Sequence, residues 1–239
     1  MLLSVLTPAR VLKKFPLVRV GIKQYPSQPP LTRGGVFGFT LAEVLITLGI
    51  IGVVAAMTLP SVINHYQKQT TALKVKKFYN MMNNAINRSI VDNGDVNTWY
   101  PERKANTYGD NVNFLKTYIL PYIKYDRYEK SPTSSAVYIY LTYGGMIAFN
   151  VNGNGCDISY YLNNKHEKSP RNSFSFAFNR KNTSNPTFIE PYTWSWNGQY
   201  ETLKTSSSSL GCRKKCTDCG YCTKILQLND WKFPDDYPW

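Results

Sequence analysis

A chain of 239 residues has room for one good-sized core with accessory segments, which excludes several independent domains. Its 43% hydrophobic content is ordinary for a folded protein, but 18 Tyr make it aromatic-rich, and 28 Lys and Arg against 15 Asp and Glu give a formal net charge of +13. Such a balance points to anionic partners without naming them.

The charge is unevenly placed. Residues 1–38 carry Arg10, Lys13, Lys14, Arg19, Lys23 and Arg33 and no acid. Without these six, 22 basic residues face 15 acidic ones, a net of +7, so nearly half of the basicity belongs to this segment. Pro26, Pro29, Pro30, Gly34 and Gly35 punctuate it, and it has no helical or strand period. It reads as an unstructured cytoplasmic leader.

Residues 39–59 form a run of 21 whose only charge is Glu43. That is about the length a helix needs to cross a hydrocarbon layer roughly 30 Å thick. With the basic flank on its N-terminal side, the positive-inside rule puts the leader in the cytoplasm and everything after Pro60 outside it. A cleaved secretory signal has the same order of charge and apolarity, but its apolar region is shorter. Here the small residues Ala55 and Ala56 are followed by Met57, Thr58 and Leu59, which is a poor exit for a signal peptidase.

From residue 60 to 92 the helical period continues on one face only. Val75, Phe78, Tyr79, Met82, Ala85, Ile86 and Ile90 recur at steps of three and four, with Lys74, Lys77, Asn84, Asn87 and Arg88 elsewhere. Asp92, Asn93 and Gly94 offer a stop. Residues 93–239 then read as a β-rich head. Phe114 to Leu120 suits a short helix closed by Pro121. Val137 to Tyr143 and Met146 to Val151 make a hairpin around Gly144 and Gly145, the second strand ending at Asn152, Gly153, Asn154 and Gly155. Ser173 to Phe178 alternates with period two and makes another strand. Thr205 to Ser209 is a polar loop, and Ile225 to Trp239 is an aromatic tail.

Gly38-Phe39-Thr40-Leu41-Ala42-Glu43, the apolar run with Gly49 and Gly52, and the closing Ala55-Ala56-Met57-Thr58-Leu59-Pro60 together resemble the N-terminus of type IV prepilins and type II secretion pseudopilins. The likeness covers about 23 residues, with Gly, Phe, Glu and Pro all in register. It implies an α+β pilin-like fold in which a long N-terminal helix, apolar first and amphipathic second, packs on a small antiparallel sheet. It implies processing by a prepilin peptidase that cuts after Gly38 and methylates Phe39. It assigns assembly roles to Phe39, Glu43 and Pro60: the glutamate neutralises the terminal amine of a neighbouring subunit and fixes its stagger, and the proline kinks or locally melts the helix. Gly49 and Gly52 permit close helix approach. The implied partners are the peptidase, like pilin subunits, the assembly platform with its motor, and the inner membrane before assembly. The subunit would serve a type IV pilus or a type II secretion filament, with no cofactor and no enzymatic role.

The remaining constellations have plainer readings. Cys212, Cys216, Cys219 and Cys222 have the spacing C-x3-C-x2-C-x2-C, which fits disulfides or a metal centre; the extracytoplasmic placement favours disulfides over zinc. The pairing cannot be read from spacing. Cys156 is a candidate to pair into the cluster, which would staple the hairpin to the C-terminal region. Asn150, Asn152, Asn154 and Asp157 space like an oxygen-ligand loop for calcium but offer one carboxylate, so a polar turn is expected. Lys68, Lys74, Lys76, Lys77 and Arg88, interleaved with Tyr66, Phe78 and Tyr79, suggest a surface for DNA; the plainer reading is a solvated helix face. His65 and His166 belong to no catalytic motif and are expected as surface imidazoles. Two rivals to the filament reading are a single-pass anchored surface binding protein that never polymerises and a secreted enzyme acting on a polymer such as glycan.

Overall fold

The computed structural model describes residues 38–99, 107–152, 155–178 and 187–239. Of the expected leader only Gly38 is among them, and Gly153 and Asn154 of the turn after the hairpin also lie outside the described residues. Two units are present, Met1–Gly52 and Val53–Trp239.

Helix α1 (Leu41–Asn93) occupies the segment the apolar and amphipathic patterns mark out. Gly94, at φ 76°, ends it, its N–H donating to the Ile90 carbonyl at 2.9 Å. The melting expected at Pro60 is not found: every residue around it keeps helical geometry. A proline removes its own N–H donor and crowds the carbonyl four residues before it, and here the bonds made by its neighbours hold the turn.

In the second unit α1 changes character. The large apolar side chains up to Ile63 are exposed, whereas Ala72, Val75, Phe78, Met82, Ala85 and Ile86 are buried. Lys74, Lys77, Asn84, Asn87 and Arg88 face solvent, as the helical period requires.

What covers the buried stripe is a six-stranded antiparallel sheet in sequence order: β1 (Tyr125–Lys130), β2 (Val137–Leu141), β3 (Met146–Asn152), β4 (Gly155–Tyr161), β5 (Ser173–Phe178) and β6 (Ile189–Pro191). In register, Tyr160 sits between Ile147 and Phe174, and Ile158 between Phe149 and Phe176. This set faces α1. The Phe78 ring stacks on Tyr160 with centroids 4.3 Å apart and planes 2° from parallel, and meets Phe176 at 5.3 Å. Asn83, buried in the same interface, accepts the Ile189 N–H at 2.8 Å and so ties β6 to the helix.

Helix α2 (Tyr108–Tyr118) packs beside α1 on the sheet. Thr107 caps its N-terminus by accepting the Asp110 N–H at 3.2 Å. It therefore starts earlier than the expected Phe114, and Pro121 falls in a 3-10 turn, Leu120–Tyr122, beyond its end. Buried Asn111 accepts the Val151 N–H at 2.6 Å and donates to the Ser135 carbonyl at 2.8 Å, pinning α2 to β3.

The expected hairpin is β2–β3, shortened because Thr142 and Tyr143 belong to the turn. Gly144 and Gly145 have φ of 87° and 90°, and a Cβ on Gly145 would come within 2.8 Å of the Tyr161 carbonyl. Strands β1, β4 and β6 have no counterpart in the sequence reading. Strand β5 alternates Ser and Phe, yet both its faces are buried. The aromatic tail packs on the head core: α3 (Thr202–Thr205) precedes the cysteines, α4 (Cys222–Leu228) begins at the last of them, and Phe233 packs edge-on against Tyr237 at 4.6 Å and Trp239 at 4.8 Å.

Replacing Phe78 by Ala removes a ring with no exposed surface that joins helix to sheet. We expect a loss of about 3–5 kcal/mol in urea unfolding of the chain, with far-UV helical signal retained in the native baseline.

Candidate functional site

Gly38 and Phe39 precede α1 and are exposed, Phe39 at 87%. The next residues form a reciprocal cap. Thr40 Oγ1 accepts the Glu43 N–H at 3.2 Å, and Glu43 Oε2 accepts the Thr40 N–H at 2.8 Å and its hydroxyl at 2.9 Å. Thr40 is thus the N-cap and Glu43 the third helical residue of a capping box. The carboxylate also sits at the positive end of the helix dipole. The Thr-x-x-Glu spacing was visible in the sequence and went unused there. The apolar side chains that follow, from Leu41 to Leu59, are exposed. Within α1 there is thus one segment long and apolar enough to cross a membrane.

The basic face of α1 keeps most cations of the expected DNA surface exposed but not all of its aromatics. Lys74, Lys76, Lys77 and Arg88 are exposed, but Phe78 is fully buried and Tyr79 is turned to the core, where it meets Trp231 at 4.8 Å. Of the interleaved aromatics only Tyr66 faces solvent. Bases would find cations there but little to stack on. Lys76, Asn80, Asn84 and Arg88, one helical turn apart, line an open groove of about 550 Å³ with Leu73 and Tyr122.

The cysteine cluster closes on itself. Cys212 pairs with Cys222 and Cys216 with Cys219. Cys156 does not pair into it, contrary to expectation: it lies in mid-sheet between Val151 and Phe178, and each cluster sulfur already has a partner close in sequence. The four sulfurs are consumed pairwise, and no group of three metal-ligating side chains stands together among the described residues. The outer bridge spans 10 residues, worth about 3 kcal/mol of chain entropy. The inner spans 3, worth about 2 kcal/mol at most, and less because it is nested.

The loop these bridges shape covers the sheet face opposite α1. Its Leu210, Asp218 and Gly220 enclose a cavity of about 130 Å³ with Asp157, Ser159 and Ser175, which is why the serine face of β5 is buried. Lys168 forms an ion pair with Asp218 across it. The calcium-like loop is used internally: Asn150 Oδ1 accepts from Asn111 at 3.2 Å, and Asn152 donates to Asp157 at 3.0 Å.

Further along that face Tyr138, Tyr140, Met146 and Tyr161 form a separate small cluster. His166 stacks on it, 5.0 Å from Tyr138 and 4.8 Å from Tyr161. Partial burial, and secondarily the Lys168 charge, push its pKa below the usual imidazole value.

The model described as "Family of unknown function (DUF6613)" matches residues 61–239. The chain belongs to this family. No curated protein and no solved structure matches it. The match begins directly after Pro60, so it takes in the one-sided half of α1, the sheet and the disulfide loop, and leaves residues 38–60 outside.

Because the fold disfavours a charged His166, its contribution is complete above the unfolded pKa of about 6.5 and declines as pH falls below it. We expect the thermal midpoint of His166→Gln to fall less than that of the unaltered chain between about pH 7 and pH 5.

Proposed function

We propose that the chain is a structural subunit of a type IV pilus or type II secretion-like filament, of pilin-like architecture, held in the inner membrane and then assembled through the apolar half of α1. The observation that carries this reading is the start of the helix: an exposed Gly38-Phe39 pair, a single carboxylate at the third helical position, and a collar of apolar side chains that stand exposed among the described residues. Glu43 costs about 2.5–3.5 kcal/mol if left uncompensated at bilayer depth. In the precursor Thr40 satisfies it locally. After cleavage a neighbouring copy's Phe39 amine is the stronger partner, and the exchange of partners favours assembly over residence in lipid. The peptidase, the assembly platform and its motor follow from the same reading.

The rival of an anchored binding protein has one observation in its favour, the open groove beside Lys76, Asn80, Asn84 and Arg88. The two readings separate at the N-terminus. Mass spectrometry of the chain from its own cells should find a mature end at methylated Phe39, and Glu43→Ala should insert in the membrane yet yield no filaments. An intact leader, or a cut near Ala56, would sink the filament reading.

A further inference from the structure

The two disulfides are not equivalent. Cys212 and Cys222 are 2% and 0% exposed, closed off within the loop, and Cys219 is 0%. Cys216, at 8%, is the most exposed residue of the four, and its chain neighbours Arg213, Lys214, Lys215 and Thr217 are exposed. A cationic flank draws an attacking thiolate toward Cys216.

The inner bridge is also nearly redundant for the loop. The Asp218 and Cys219 N–H groups both donate to the Ser209 carbonyl, at 3.1 and 3.2 Å, and the Tyr221 N–H donates to Leu210 at 2.9 Å. Arg213 reaches the Ser208 carbonyl at 3.0 Å, and the Lys168–Asp218 ion pair holds the far side. With the outer bridge intact, these contacts keep the loop in place when the inner one opens. Cys219 meanwhile sits at φ 56°, a left-handed conformation that a non-glycine residue adopts at some cost. Opening the inner bridge leaves that residue free to relax.

We propose that Cys216–Cys219 is a thiol–disulfide exchange site for an external dithiol, with Cys212–Cys222 as its fixed frame. A thiolate of the dithiol attacks Cys216 Sγ, the Sγ–Sγ bond breaks, and Cys219 leaves as a thiolate that takes a proton from solvent. The second thiol of the dithiol then attacks its own sulfur in the mixed disulfide, releasing Cys216. The dithiol is oxidised to a disulfide, and the Cys216–Cys219 pair is reduced by the same two electrons. This assignment does not rest on the filament reading, since it concerns the loop alone.

The test uses the full-length chain in detergent, equilibrated across a glutathione series, acid-quenched, alkylated and mapped by mass spectrometry. Cys216 and Cys219 should become alkylated while Cys212–Cys222 stays closed, over at least about a tenfold range of the equilibrium ratio. Under limiting glutathione the trapped adduct should lie on Cys216. Cys219→Ser should accumulate that adduct, and Cys216→Ser should accumulate about tenfold less on Cys219. Opening of both bridges together, opening of the outer first, or an adduct mainly on Cys219 overturns the proposal. The titration of the unaltered chain decides even if neither variant folds.

Discussion

Thr71, Val75, Phe78, Met82, Ile86 and Ser89 make one buried stripe on α1, and the head is organised by the need to cover it. A helix presenting that stripe to water would be marginal, so the sheet supplies a matching surface of rings and branched chains, with Phe78 stacked on Tyr160 at its centre. α2 and the segment after α4 extend the same layer: Trp99 stacks on Tyr118 at 4.5 Å, and Trp231 closes over Tyr79. The strands need not be strongly one-sided, because the disulfide loop covers part of their other face.

Periodicity made α1, the β2–β3 hairpin and β5 legible, because each carries a strong local signal: a 3.6 period, a double glycine, a strict alternation. Strands β1, β4 and β6 carry none. Tyr125 to Lys130 is mostly charged and aromatic, and Gly155 to Tyr161 mixes Asp and Ser into a strand buried by its neighbours. Their pairing is a tertiary fact. The early start of α2 was written in Thr107 and Asp110, a cap that a search for apolar residues passes over.

The site was legible in a different way. Glu43 stood out as a charge in an apolar run, but its local partner Thr40 did not, because hydrophobic reading treats a threonine as neutral filler. For the cysteines, spacing announced a cross-linked loop and withheld the pairing. Sequence-near partners won, and Cys156, fixed near the start of β4 between β3 and β5, had no freedom to approach them.

Both borders of the sheet are closed to further strands. At one, β1 carries Asp126, Arg127, Glu129 and Lys130 in six residues and is bulged between Tyr125 and Arg127. At the other, β6 has only three residues, and the N–H of Ile189 is spent on Asn83. Were copies crowded together, as in the filament proposed above, this would matter, since strand borders are where crowded proteins fuse irreversibly. The head thus withholds the backbone ladder from any neighbour and leaves only side chains and helices to meet one.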